Sequence, residues 1–78
     1  MREKHLYIII TFHTTAEAMA MEKFCDEEHI PGRLIPVPRE ISAGCGLSWR
    51  MKPEELSFFQ EKMEVSGLKY EQVTELML

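Results

Sequence analysis

The seven residues Leu6-Tyr7-Ile8-Ile9-Ile10-Thr11-Phe12 constrain this chain more than any other stretch. They are β-branched or aromatic almost throughout and show no apolar–polar alternation, the pattern of a central strand covered on at least one face. A chain of 78 residues has room for one thin core, since it buries only roughly 60–65% of the surface its unfolded form exposes. We therefore expect a single domain over residues 1–78, with this run as its strongest strand. Arg2 and Lys4 before the run and AEAMA after it loosely imitate a secretion signal. The run is too short for one and is followed directly by His13, Thr14 and Glu17. No stretch reaches the roughly 18 apolar residues of a membrane span.

The remaining elements follow in order. Thr14-x-x-Glu17 is a capping box, in which hydroxyl and carboxylate satisfy free amides at a helix start. The spacing predicts a helix to about Glu28, with Ala16, Ala20 and Phe24 as its buried stripe and Met21 and Cys25 beside them. His29-Ile30-Pro31-Gly32 stops it. Arg33 to Val37 reads as a short strand, placed at a sheet edge because Pro36 cannot donate to a ladder. Leu47 to Met51 alternates, putting Leu47, Trp49 and Met51 on one face. Pro53 suits the first position of a second helix, with Leu56, Phe59 and Met63 inward, Phe58 partly covered and Gly67 as the stop. Tyr70 to Leu78 is compatible with a last strand or a helix, because its apolar spacing fits both. The order strand, helix, strand, strand, helix, strand is that of a ferredoxin-like α+β fold, βαββαβ, with two helices on one face of an antiparallel sheet. The other face could take a second copy, and a homodimer is an option the sequence leaves open.

Between these elements lies PVPREISAGCGLSWR, residues 36–50, too rich in Pro, Gly and Ser for regular structure. Loops of this kind on a compact scaffold commonly carry function. Charge points the same way. The net charge is −4, yet Arg33, Arg39, Arg50 and Lys52 against Glu40 give +3 over residues 33–52, leaving −7 elsewhere. An acidic body with one basic segment does not suit a nucleic-acid binder, which needs a broad positive face. It suits a small-anion site or a thiolate.

Cys45 lies between Gly44 and Gly46, which carry no side chains to shield its sulfur and permit unusual backbone angles. Consecutive amides in such a turn can form an anion-binding concavity, and positive charge from Arg39 and Arg50 would favour the thiolate. Ser42 could line the same loop or merely cap it. Two cysteines do not make a disulfide framework, and free thiols fit a cytoplasmic protein. Cys25 reads as a core residue. The histidines His5, His13 and His29 lack the paired spacing of a metal site with the cysteines. A Cys45–His13 pair is conceivable, because both strand ends could meet at one edge of the sheet.

The Pro38-Arg39-x-x-Ser42-x-x-Cys45-Gly46 core, set between a strand–helix–strand opening and a Pro53-led helix, resembles the selenium/sulfur carrier protein-like family of small bacterial proteins. The resemblance covers nearly the whole chain. It implies a carrier that holds a persulfide or selenosulfide on Cys45 and passes it on by thiol exchange. Arg39, Ser42, Gly44, Gly46 and Arg50 would then be the anion-holding residues, and the partners would be sulfur- or selenium-donating and accepting proteins. No cofactor, metal, nucleic acid or membrane is implied. Such a protein is a carrier or small thiol transferase rather than a hydrolase. The alternative is a non-catalytic binding or subunit-pairing module whose basic loop grips a small anion or a protein.

Overall fold

A computed structural model describes residues 3–41 and 45–78 of the chain. Four strands, β1 (Leu6–Thr11), β2 (Arg33–Pro36), β3 (Leu47–Met51) and β4 (Gln72–Met77), alternate with two helices, α1 (Thr15–Glu27) and α2 (Leu56–Ser66). The sheet is antiparallel in the order β2-β3-β1-β4, the ferredoxin-like arrangement expected from the element order.

The apolar run of β1 occupies a central position and uses both of its faces. Ile8 and Ile10, with Phe12 just beyond the strand, join Trp49, Met51, Met21, Cys25 and Phe59 in one core beneath the helices. Ile9 and Thr11 point to the other face and are also fully buried. There Ile9 lies in register between Arg50 and Thr74. The Arg50 guanidinium reaches over the Tyr7 ring, 4.7 Å from its centroid, so its stem runs along this side of the strand. The hydroxyls of Thr11 and Ser48 are satisfied by carbonyls of the outer strands, at Gln72 and Ile35. β2 is an edge strand, as Pro36 requires.

Helix α1 starts as the Thr14 motif predicts, with the Glu17 amide donating to Thr14 Oγ1 at 3.2 Å. The reciprocal bond differs from the usual box: Glu17 Oε1 accepts from the amide of His13, at 2.8 Å, one residue earlier. The buried stripe also differs from the expectation. Ala18, Met21 and Cys25 face the core, Phe24 is half-buried, and Ala16 and Ala20 are exposed. Alanine removes little area from water, so the bulkier Met21 and Cys25 decide the rotation.

The helix stops before Pro31. The His29 amide donates to the Asp26 carbonyl and the Ile30 amide to Cys25, at 2.8 Å for the latter, with His29 at φ 57. This is a Schellman closure with histidine where glycine is usual. The second helix begins with a 3-10 turn at Pro53–Glu55 rather than as one continuous α-helix. It contributes one fully buried residue, Phe59, while Phe58 is 41% exposed. The last segment is a strand. Its apolar spacing was neutral, and pairing with β1 from Gln72↔Thr11 to Met77↔Leu6 decides it.

Candidate functional site at the head of β3

Cys45 precedes β3 at the end of the sheet where β1 finishes and α1 begins. The β2–β3 ladder reaches this point, since the Val37 amide donates to the Gly46 carbonyl at 3.0 Å. Gly46 has φ 81 and open space where a side chain would stand, so the left-handed turn needs glycine for its backbone angle and not for room. A turn at Pro38–Ile41, closed by the Ile41 amide on the Pro38 carbonyl, leads into the loop. Ser42 and Gly44 lie outside the described residues.

The Cys45 side chain is half-buried. It packs against the core cluster, and its Sγ donates to the Leu47 carbonyl at 3.4 Å. Cys25 is wholly buried, and burial pushes its thiol up to about 12. It lies eleven residues beyond Thr14, about 16 Å along α1 at 1.5 Å per residue. The helix therefore carries it away from the Cys45 end, towards Trp49.

The basic residues do not gather on the sulfur. Arg39 is exposed on the loop. Arg50 is five residues beyond Cys45, about 16 Å along the strand, and its guanidinium stacks on Tyr7 on the face away from the helices. Cys45 packs on the helix face. Strand alternation separates the two, and the expectation that Arg50 lies beside the thiol gives way to a structural role at the far end of β3. Among the described residues neither Arg39 nor Arg50 forms an ion pair.

Two features were not drawn from the sequence. His13 Nδ1 lies 3.2 Å from Glu17 Oε1, a contact that the i, i+4 spacing of a histidine and a glutamate could have signalled. The carboxylate is held below the ordinary glutamate range, chiefly by the His13 amide and further by the His13 ring. The second feature is a groove of about 990 Å³ between α1 and the start of β2, lined by Lys23, Asp26, His29, Gly32, Arg33 and Trp49. It lies away from Cys45. In its floor Gly32 packs on the indole so closely that a Cβ would stand 2.6 Å from Trp49, and Trp49 Nε1 is buried without a hydrogen-bond partner among the described residues. No set of three metal-ligating side chains comes together among the described residues. No described helix is long and apolar enough to cross a membrane.

A family model described as "Putative Se/S carrier protein-like" matches residues 7–75, most of the chain. No curated protein and no solved structure matches it.

Proposed function

Because the chain belongs to the Se/S carrier protein-like family, we propose that Cys45 is the atom on which sulfur or selenium travels, carried as a persulfide or selenosulfide. The observation that carries this reading is the contrast between the two thiols. Cys25 is sealed in the core and its ionisation is pushed up to about 12, so it is protonated and out of reach at neutral pH. Cys45 is the free cysteine with solvent access.

The sheet end that holds Cys45 is also where α1 starts. Arg39, on the same loop, is exposed and forms no ion pair among the described residues, so it would be available to a bound anion. Ser42, Gly44 and Gly46 would supply loop hydroxyl and amides to the terminal chalcogen, as glycine-rich turns do for anions. Transfer is a thiol exchange. The thiolate attacks the outer sulfur of a donor persulfide, the donor's S–S bond breaks as the new one forms, and the donor leaves as a thiolate. The same exchange in reverse delivers the cargo, so donor and acceptor are proteins with reactive thiols, and a reducing cytoplasm is the fitting compartment.

The test is intact-mass analysis after incubation with a cysteine or selenocysteine desulfurase and its amino-acid substrate. The expected result is a gain of one sulfur or selenium atom that dithiothreitol removes, present in Cys25→Ser and absent in Cys45→Ser. An unmodified mass, or a gain that survives Cys45→Ser, overturns the proposal.

A further inference from the structure

We propose that the sheet end farthest from Cys45 holds a second site, for a small doubly charged oxyanion of the phosphate type, formed by Arg33, Arg50 and Lys52. The β2–β3 register pairs Arg33 directly with Arg50. Directly opposed residues share a face of the sheet, so two guanidinium-bearing side chains leave neighbouring strands on the same side. On its other flank Arg50 is paired with Ile9, which puts Tyr7, two residues before Ile9, on that face as well. Arg33, Arg50 and Tyr7 line one cavity of about 280 Å³ together with Lys52.

Like charges directly opposite each other on adjacent strands weaken the pairing. No described carboxylate relieves them here. Glu55, from the 3-10 turn Pro53–Glu55, is the acidic residue on the cavity wall. Among the described residues it forms no ion pair with Arg33, Arg50 or Lys52. Glu54 stands in the next cleft, which shares Tyr7 and Lys52. Three cations against one carboxylate leave the cavity positive in a chain whose net charge is −4. A concave wall of one sign concentrates counter-ions from solution.

Arg50 is held ready for such a ligand. Its guanidinium lies over the Tyr7 ring, 4.7 Å from the centroid. A contact of this kind fixes the charge without using the N–H donors, which lie in the guanidinium plane. Arginine forks match the oxygens of a phosphate-type anion in bidentate fashion, and lysine adds a point charge. Size points to the same class, because the cavity falls just below the roughly 300–1,000 Å³ of ordinary ligand clefts. The basic residues that form one run in the sequence are thus divided by the sheet. Arg39 stays on the loop beside Cys45, while Arg33, Arg50 and Lys52 gather at the other end.

The test titrates the protein with inorganic phosphate at constant ionic strength, so that general screening does not change. Calorimetry gives the affinity, and the arginine Nε–H signals are followed by NMR. The expected result is saturable binding, about millimolar or tighter, that shifts the Arg33 and Arg50 signals together. Arg33→Gln and Arg50→Gln should each weaken it about tenfold, the usual effect of losing one charged hydrogen-bonding partner. Lys69→Gln makes the same change of net charge at an exposed residue outside the cavity and should leave binding unchanged. Acetate, a monoanion, should bind at least about tenfold more weakly than phosphate. Arg33 is exposed on an edge strand, so its variant decides the matter if Arg50→Gln does not fold. Phosphate should then raise the Tm of the wild type and leave that of Arg33→Gln nearly unmoved. Absence of saturable binding, equal weakening by Lys69→Gln, or acetate binding as tightly as phosphate overturns the proposal. So does binding of a glutamate-rich peptide without binding of phosphate, which would make this a protein-docking surface. Chalcogen loading of Cys45 is a separate measurement, and none of these outcomes bears on it.

Discussion

Replacing Gly32 by alanine tests how the sheet is locked to the end of α1. A Cβ there would stand 2.6 Å from the Arg50 carbonyl oxygen and 2.6 and 2.7 Å from Cζ2 and Cε2 of Trp49. Carbon atoms in contact prefer about 3.5–4.0 Å, so the indole would have to retreat by about 1 Å. It has nowhere to go: Trp49 is 3% exposed, and its strand is paired on both sides, to Leu34 and to Ile10. The carbonyl is backbone and equally fixed. Overpacking of this kind costs about 1–3 kcal/mol, and two immobile neighbours place it near the top. Reduced freedom of the unfolded chain returns about 0.4–1 kcal/mol, leaving a loss of about 2 kcal/mol. For a domain this small that lowers Tm by about 8–16 °C. Trp49 is the sole tryptophan, so its fluorescence follows both unfolding and the local contact. Gly67→Ala is the control, with φ 74 and open space at its Cβ, and should cost only about 1 kcal/mol through its left-handed angle. A Gly32→Ala protein that melts within about 2 °C of wild type, or above Gly67→Ala, would refute the reasoning.

Native-state alkylation followed by peptide mapping should find Cys45 labelled and Cys25 untouched until the chain unfolds, because a thiol held at about 12 is about one part in 10⁵ ionised at pH 7; equal labelling would contradict the burial of Cys25. The same burial gives alkaline sensitivity: the unfolded chain loses the Cys25 proton from about pH 9 while the folded one keeps it to about 12, so denaturation midpoints should fall across that window and fall less in Cys25→Ala. Glu17 has the opposite sign. Its folded carboxylate titrates below the ordinary value of 4.5, so its contribution is present above that pH and lost as pH falls through the lowered value, a loss that Glu17→Gln should not show in acid titration. His29→Gly should raise stability by about 0.5–1 kcal/mol in urea unfolding, because φ 57 strains a side chain and not glycine.

Most of the scaffold could be read directly from residue patterns, because its signals are local. Thr14 and Glu17 start one helix, Pro53 and Gly67 bracket the other, and Pro36 consigns β2 to an edge. Each depends on a backbone group or angle that the residue itself supplies or removes. The resemblance drawn from the Pro-Arg-x-x-Ser-x-x-Cys-Gly core agrees with the family that residues 7–75 match. Tertiary contacts decided the rest. The face that α1 buries follows from what Met21 and Cys25 meet, and β4 is a strand because β1 offers it a partner. Arg50 and Cys45 share one short stretch of sequence, but strand alternation sends one to Tyr7 and the other to the helix side. Side-chain neighbourhood depends on the direction in which the backbone presents each residue, and that is set only once the strands have paired.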